Sequence, residues 1–376
     1  GHRLGVADFP GAERRPVTRP HLAQRRRRSG MRRRRRPVLR RHAAQLPAGQ
    51  RFEQLGHPQI VGPRATLASA GSRIAKGTIA RDVRGGLLAT VPPGLAFMHG
   101  ARHAYDRVLV IGDFIGIGGC FLAGIRGVTY VDVYKTGYGR PYLGAERWII
   151  GRTCRTVFSR HSTLADSLRR DGIDARAVGN VMMDTIPRSG FDARALRTRP
   201  LAVTLLPGSR DQTAVNFALQ VEALLRLPAE LRPDVFLGLA AGIDPAELAR
   251  AAGLIWDGRD FSGDLTVHVA QHALGNLVDN SDVVLSQAGT ATIQSLGLGR
   301  PVITFIREGD RMKRHEDENR LFGDSRPLVR ADAGELSETL AALLRDDADR
   351  ARRGAIGRER IGGPGAIDRI IAELVS

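Results

Sequence analysis

Leu201-Ala202-Val203-Thr204-Leu205-Leu206-Pro207-Gly208-Ser209-Arg210, running on into Asp211-Gln212-Thr213-Ala214-Val215-Asn216-Phe217, is the stretch on which the fold reading turns. A run of β-type residues meets a Pro-Gly turn, after which Ala214, Phe217, Val221 and Leu224 fall on one helical face. A strand that feeds a glycine turn and a helix N-terminus leaves backbone N–H groups and the positive end of the helix dipole free for an anion. Ser209 and Gln212 fit the S-x-x-Q capping box. Arg210 adds a permanently charged, forked donor suited to phosphate. An ordinary βα turn with a solvated arginine fits the same residues.

A second turn of this kind follows a strand ending at Leu285: Ser286-Gln287-Ala288-Gly289-Thr290-Ala291-Thr292. The spacing predicts a helix to about Leu298, Gly299 as its C-cap, and Pro301 opening the next strand. Gly289 lets a ligand approach the backbone, and Thr290 is placed to cap the helix and donate to phosphate. Gln294 shares a face with Thr290 and Ala291, within reach of a ribose hydroxyl. The bland alternative is a small-residue turn that only packs closely. Two such turns in one parallel sheet are harder to dismiss, because ligands of open α/β sheets bind beyond the carboxyl ends of the strands.

Outward from these turns the same rhythm continues. Strands are expected at Arg107–Ile111, Val128–Val133, Thr156–Ser159, Ala175–Gly179, Leu201–Leu206, Asp234–Leu239, Leu265–Val269, Asp282–Leu285 and Pro301–Ile306. Helical runs such as Ser162–Arg170 and Asp211–Leu225 separate them. This is an α/β chain with two doubly wound, Rossmann-like parallel-sheet domains. The Pro-, Arg- and Gly-containing stretch Asp184–Pro200 reads as the linker. It divides an N-terminal domain, 51–187, from a C-terminal domain, 188–360, with a last helix at 361–376 carrying Ile367, Ile370, Ile371 and Leu374 at helical spacing. Gly116-x-Gly118-Gly119 only weakly approaches the dinucleotide pattern and lacks its third glycine, which argues against a Rossmann dehydrogenase. Val108–Ile125 is apolar for about the length of a membrane span. Asp113 and five glycines interrupt it, so a strand, a turn and a short helix explain it better.

The 376-residue chain has a net charge of +18. Residues 1–50 hold fifteen Arg, no Lys, one Asp and one Glu, so this leader alone carries +13 and the rest only +5. Its like-charge runs, Arg25–Arg28 and Arg32–Arg36, read as a disordered tail. They lack the interleaved aromatics that stack on bases, which argues against a nucleic-acid partner. The leader also has the Arg-, Pro-, Ala- and Gly-rich composition of GC-rich DNA read out of frame. Two cysteines, Cys120 and Cys154, without metal-ligand spacing, fit a reducing cytoplasm.

Gly179-Asn180-Val181-Met182-Met183-Asp184, the Leu205–Arg210 run and Gly289–Pro301 together resemble the lipid-A-disaccharide synthase-related family. Arg155–Arg160 and the early Gln54-Leu55-Gly56 to Val61-Gly62-Pro63 segment fit the same pattern. The resemblance covers roughly residues 51–330, and the G-N-x-M-M-D element is its most specific part. It implies a GT-B arrangement, an acceptor domain and a nucleotide-sugar domain, and a glycosyltransferase acting on a lipid or glycolipid, cytoplasmic or peripheral on the inner membrane surface. Three departures stand out: the family's opening strand and glycine-rich turn have no visible counterpart in 1–50, its Pro after Gly-Asn is Val181, and an acidic residue after Pro-Gly-Ser-Arg is replaced by Thr213. Gln294 corresponds to the ribose-contacting Glu of wider GT-B enzymes, as this family commonly has it.

Transfer needs a base for the acceptor hydroxyl and stabilisation of the departing nucleoside diphosphate. Asp113, at the end of its strand, is the first choice as base, with helix capping as the alternative. The nucleotide falls to Gly208, Ser209, Arg210, Ser286, Gly289, Thr290, Ala291 and, at the ribose, Gln294. The resemblance places Lys135 and Tyr138 toward the acceptor, with Asn180 and, from the cluster His315-Glu316-Glu318-Asn319, Glu316. His161 and His268 read as structural. Asp347-Ala348-Asp349, the sole D-x-D, sits in a charge cluster at a helix end, so neither a metal nor a cofactor is expected. A nucleotide-sugar epimerase and a non-catalytic relic are the two other readings.

Overall fold

The computed structural model describes residues 3–6, 40–43, 59–60, 87–139, 141–209, 212–310 and 312–375. They fall into two compact units, 1–177 without 138–140 and 178–376 with 138–140.

The first unit is built on a seven-stranded, all-parallel sheet in the order β3-β2-β1-β4-β5-β6-β7. Its strands are β1 (Arg3–Val6), β2 (Arg40–Ala43), β3 (Gln59–Ile60), β4 (Arg107–Gly112), β5 (Val128–Asp132), β6 (Cys154–Ser159) and β7 (Ala175–Ala177). Between them come α1 (Leu87–Ala101), α2 (Phe114–Leu122), α3 (Gly144–Thr153) and α4 (Ser162–Arg169). Val108–Ile125 is thus strand, turn and short helix, and no helix of the described residues is long and apolar enough to cross a membrane. Val110, Val128, Tyr130 and Val157 of the sheet pack with Ile117, Cys120, Ile150, Leu164 and Leu168 of the helices. Two short pieces of the leader are strands: Arg3–Val6 pairs with β4, and Arg40–Ala43 pairs with Arg3–Val6. The rest of 1–50 lies outside the described residues.

The second unit carries an eight-stranded sheet in the order β10-β11-β12-β9-β8-β13-β14-β15. Its strands are β8 (Ala202–Leu206), β9 (Asp234–Gly238), β10 (Ile255–Trp256), β11 (Asp260–Ser262), β12 (Val267–Ala270), β13 (Val283–Ser286), β14 (Val302–Ile306) and β15 (Leu328–Arg330). Its helices are α5 (Thr213–Leu225), α6 (Pro245–Ala252), α7 (Leu274–Asp279), α8 (Gly289–Gly297), α9 (Met312–Phe322), α10 (Ala333–Arg345), α11 (Asp347–Ile361) and α12 (Ala366–Val375). Every residue of β8 and β13 is buried, as strands covered on both faces require. Val203, Leu205, Val283 and Leu285 face Phe217, Val221, Leu336 and Leu340, whereas Leu206, Val284 and Val302 face Leu296, Val278 and Leu321. The antiparallel β10–β11 extension was not expected; only its pairing with β12 marks it as sheet.

The domain boundary falls near residue 177, not 187, because the stretch read as a linker is packed onto the second unit. Gly275 N donates to Pro187 O at 2.9 Å, and Asn276 bonds Ser189 N, Ser189 O and Phe191 O. Thr198 N and Arg199 N both donate to Asp234 Oδ2, at 2.7 Å each. The backbone of the linker candidate thus meets polar groups of the second unit. Helices α8 and α11 touch almost backbone to backbone. A Cβ at Gly354 would stand 2.1 Å from Gly299 O, and one at Gly357 would stand 2.6 Å from Leu296 O, so only glycine fits there.

Candidate functional site

In the second sheet the chain leaves β8 toward β9 on one side and returns to β13 on the other, so the strand order reverses between β8 and β13. The crevice beyond such a switch is where open α/β sheets bind ligands. The turns following these two strands are the two glycine turns singled out in the sequence. They abut: Gln287 N donates to Leu206 O at 2.8 Å, and a Cβ on Gly208 would lie 3.7 Å from Gln287 O.

In the first turn Gly208 has φ 111°, a conformation that favours glycine, and Ser209 is exposed. Asn216 Nδ2 donates to Pro207 O at 2.7 Å and Gln220 Nε2 to Leu285 O at 3.1 Å, so α5 holds both strand ends through buried amides. The capping box does not form. Helix α5 starts at Thr213 with Gln212 as an N-cap that makes no side-chain bond. Arg210 lies outside the described residues.

In the second turn helix α8 begins at Gly289 behind Ala288, which has no capping side chain. Thr290 therefore does not cap; it stands exposed, as does Gly289. The first intrahelical bond is Thr292 N to Ala288 O, so the N–H groups of Gly289, Thr290 and Ala291 precede the helix ladder. A Cβ on Gly289 would meet nothing within 4 Å. Ser286 points inward: its Oγ lies 2.7 Å from Thr292 Oγ1 and accepts from Ala288 N at 3.2 Å, which fixes the turn's shape. Gln294 is also buried, its Nε2 donating to Met182 O at 2.7 Å, and so braces the fold where a ribose contact was expected.

Arg307 was missed by the sequence reading. It follows β14, the strand next to β13, with its guanidinium 5.1 Å from the Phe305 ring. Its backbone N donates to Asp310 Oδ2 at 2.9 Å, and Gln287 Nε2 reaches Phe305 O at 2.7 Å. Burial pulls Arg307 below the ordinary guanidinium range, against the opposing pull of Asp310. The available signal was position alone: an arginine directly after a strand, beside the switch.

The Gly179–Asp184 element proves architectural. Asn180 is buried and accepts from Met182 N at 3.1 Å. Met183 packs against Gly297 of α8, and Asp184 accepts from Gly365 N and from Ile367 N (2.9 Å), capping α12. Asn180 thus caps a 3₁₀ turn. Of the acidic cluster, Glu318 and Asn319 are taken by buried Arg326, at 2.8 and 2.6 Å, and only Glu316 is exposed. His268 has a partner, Asp260 Oδ2 at 3.1 Å across β11–β12, and His161 Nδ1 accepts from Thr163 N as the cap of α4. Asp347 and Asp349 lie in the first turn of α11, Asp349 paired with Arg352 and Arg353. Among the described residues no three His, Cys, Asp or Glu side chains gather to hold a metal.

In the first unit the order reverses between β1 and β4, and Asp113 follows β4 directly. Its Oδ1 accepts from Ile115 N at 3.0 Å, so it caps α2 while standing at the strand-end position expected of a base. Next to it, at the end of β5, Asp132 is buried and accepts from Tyr134 N, Lys135 N and Tyr142 Oη (2.7, 2.9 and 2.5 Å); Tyr142 Oη lies 2.9 Å from Tyr130 Oη. Burial pushes the Asp132 carboxyl up against the lowering effect of these donors, and pushes both phenols above the tyrosine range. This knot holds Lys135, whose Nζ donates to Pro141 O at 3.2 Å and lies 4.3 Å from the Tyr142 ring centre. Tyr138 packs in the second unit's cluster with Met183 and Leu321.

No protein-family model matches the chain, and no curated protein matches it by sequence. Solved structures do match by fold. A putative UDP-N-acetylglucosamine 2-epimerase from Listeria monocytogenes superposes with a TM-score of 0.57 at 15% identity, over 89% of this chain and 87% of that one. The glycotransferase of kitacinnamycin gives 0.51 at 15% identity, over 88% and 91%. UDP-GlcNAc 2-epimerase from Neisseria meningitidis, bound to UDP-GlcNAc, gives 0.50 at 16%, over 76% and 82%. The fold is that of the GT-B enzymes. In this GT-B chain the paired turns after β8 and β13 are the feature a functional reading must explain.

Proposed function

We propose that this chain is a glycosyltransferase that moves a sugar from a UDP-sugar to a lipid or glycolipid acceptor, in the manner of the lipid-A-disaccharide synthase-related family. The observation that carries the reading is the pair of abutting glycine turns at the β8–β13 switch point, one with φ 111° at Gly208 and the other with an uncapped helix start at Gly289. N–H groups of Gly289, Thr290 and Ala291 would receive the diphosphate, with Arg210 and Arg307 supplying positive charge. Such preorganised donors stabilise a leaving diphosphate as its charge develops. Asp113 would take the proton of the acceptor hydroxyl, the carboxylate serving as base at the same strand end where it caps α2.

The similar structures from Listeria monocytogenes and Neisseria meningitidis are epimerases, one of them putative, which supports epimerisation of the donor as the second reading. Product analysis separates the two. The full chain is incubated with radiolabelled UDP-N-acetylglucosamine, with and without bacterial lipid extract. Transfer predicts UDP release and label entering the organic phase only when lipid is present. A change of sugar stereochemistry without lipid would establish the epimerase, and an unchanged donor in both arms would count against both.

A further inference from the structure

Helix α2 exposes Ile115 (58%) and Leu122 (69%), two turns apart and so on one face. Between them lies Gly118, where an added Cβ would touch only the Phe114 ring, at 3.8 Å. On neighbouring α3, Trp148 is 54% exposed and meets the Phe121 ring edge-on at 5.4 Å. Each of these rings carries a guanidinium: Arg126 stands 4.8 Å from the Phe121 centroid and Arg152 stands 5.4 Å from that of Trp148. Arg126 is fixed there, its Nη1 donating to Phe121 O and Ile125 O. Neither arginine pairs with a carboxylate among the described residues. Helix α2 has no acid, and Glu146, the acid of α3, is folded back onto Leu143 N.

We infer that this α2–α3 face is the surface by which the protein docks on an anionic lipid bilayer. Aliphatic side chains, a tryptophan and flanking arginines are what a surface lying in the interface presents: the apolar groups enter the acyl boundary, the indole sits at headgroup depth and the guanidinia meet phosphates. The charges select lipid over a second copy of the chain. In a two-fold pairing the patch would face itself, bringing unpaired arginines against arginines. The inference rests on the proposed lipid acceptor, and it explains where that acceptor would enter. The stripe begins at Ile115, two residues from Asp113, so an acceptor anchored in the bilayer presents its head group at the strand end holding the base.

The test uses the full chain with Trp256→Phe, which leaves Trp148 as the sole tryptophan of the two. It is mixed with vesicles of phosphatidylcholine alone or of phosphatidylcholine and phosphatidylglycerol, and flotation and tryptophan emission are recorded. Binding to the anionic vesicles with a blue shift of Trp148 is expected. Leu122→Asp, at a side chain too exposed to matter for folding, should weaken partition by about tenfold or more, since it exchanges an interfacial apolar group for a charge. Arg152→Glu should weaken the preference for the anionic vesicles. Flotation with unchanged Trp148 emission and no effect of Leu122→Asp would overturn the inference and assign the attraction to the arginines of residues 1–50. Absence of flotation would overturn it too, as would self-association without vesicles that Leu122→Asp abolishes. UDP titration of the same Leu122→Asp sample keeps the two readings apart: vesicle docking without UDP binding in the parent chain would sink the transferase and leave the surface standing.

Discussion

Asp113→Asn is expected to lower sugar transfer by roughly a hundred- to ten-thousand-fold, the ordinary contribution of a positioned general base. The choice of Asn matters, because Asp113 has a second duty. Its Oδ1 accepts from Ile115 N at 3.0 Å and caps α2. Asparagine keeps an oxygen at that place and is as good an N-cap as aspartate, so the melting temperature should barely move. Alanine would remove both functions, at about 1 kcal/mol for the cap, and would confound them. A steady-state kcat measurement beside a thermal melt checks the prediction. Unimpaired transfer by a stable Asp113→Asn protein would mean that Asp113 is a cap and nothing more.

Gly289→Asp should have the second-largest effect, with opposite signs in two assays. A side chain at this position has open space before it, so folding is not obstructed. A carboxylate in the first turn of α8 also complements the helix dipole, adding about 0.3–1 kcal/mol to stability. Yet the same carboxylate would stand where the diphosphate is proposed to lie, repelling it and occupying the free N–H groups. Affinity for UDP should fall by roughly a hundredfold, or about 2.7 kcal/mol. Stability up and binding down, by differential scanning calorimetry and isothermal titration, is a pattern that a merely structural turn does not produce. If binding is retained, the α8 N-terminus is not the anion site.

Much of the second unit was legible because its strands are buried on both faces and so read as unbroken apolar runs. Ala202–Leu206, Val283–Ser286 and Val302–Ile306 lie within a residue or two of where the sequence places them. Glycine and proline punctuated them, and that located both switch-point turns. Side-chain direction was less legible. Ser286 and Gln294 have the chemistry of ligand contacts, but each turns inward to satisfy a backbone or hydroxyl group that only the folded chain brings near. Asn180 and Asp184 illustrate the same limit. They sit in the most specific stretch of the family resemblance, and their acceptors serve Met182 N, Gly365 N and Ile367 N, the last two nearly the length of the domain away in sequence.

The stretch Asp184–Pro200 was misread as a linker because its Pro, Gly and Arg content mimics one. Its order comes from Asn276, Asp279 and Asp234, groups of the second sheet and its helices. Helix α1 defies local punctuation as well, continuing through Pro92 and Pro93. Arg307 went unnoticed since a lone arginine after a strand is ordinary until the sheet order places that strand beside the switch.

On the proposed function the paired turns after β8 and β13 bind a nucleoside diphosphate. Calorimetric titration of the full chain with UDP, with Arg210→Ala alongside, tests it most directly. Saturable one-to-one binding is predicted, weakened by about tenfold or more in the variant, because hydrogen bonds to charged groups contribute about 1.5–3 kcal/mol. A folded chain that gives no saturable heat with UDP would contradict the account.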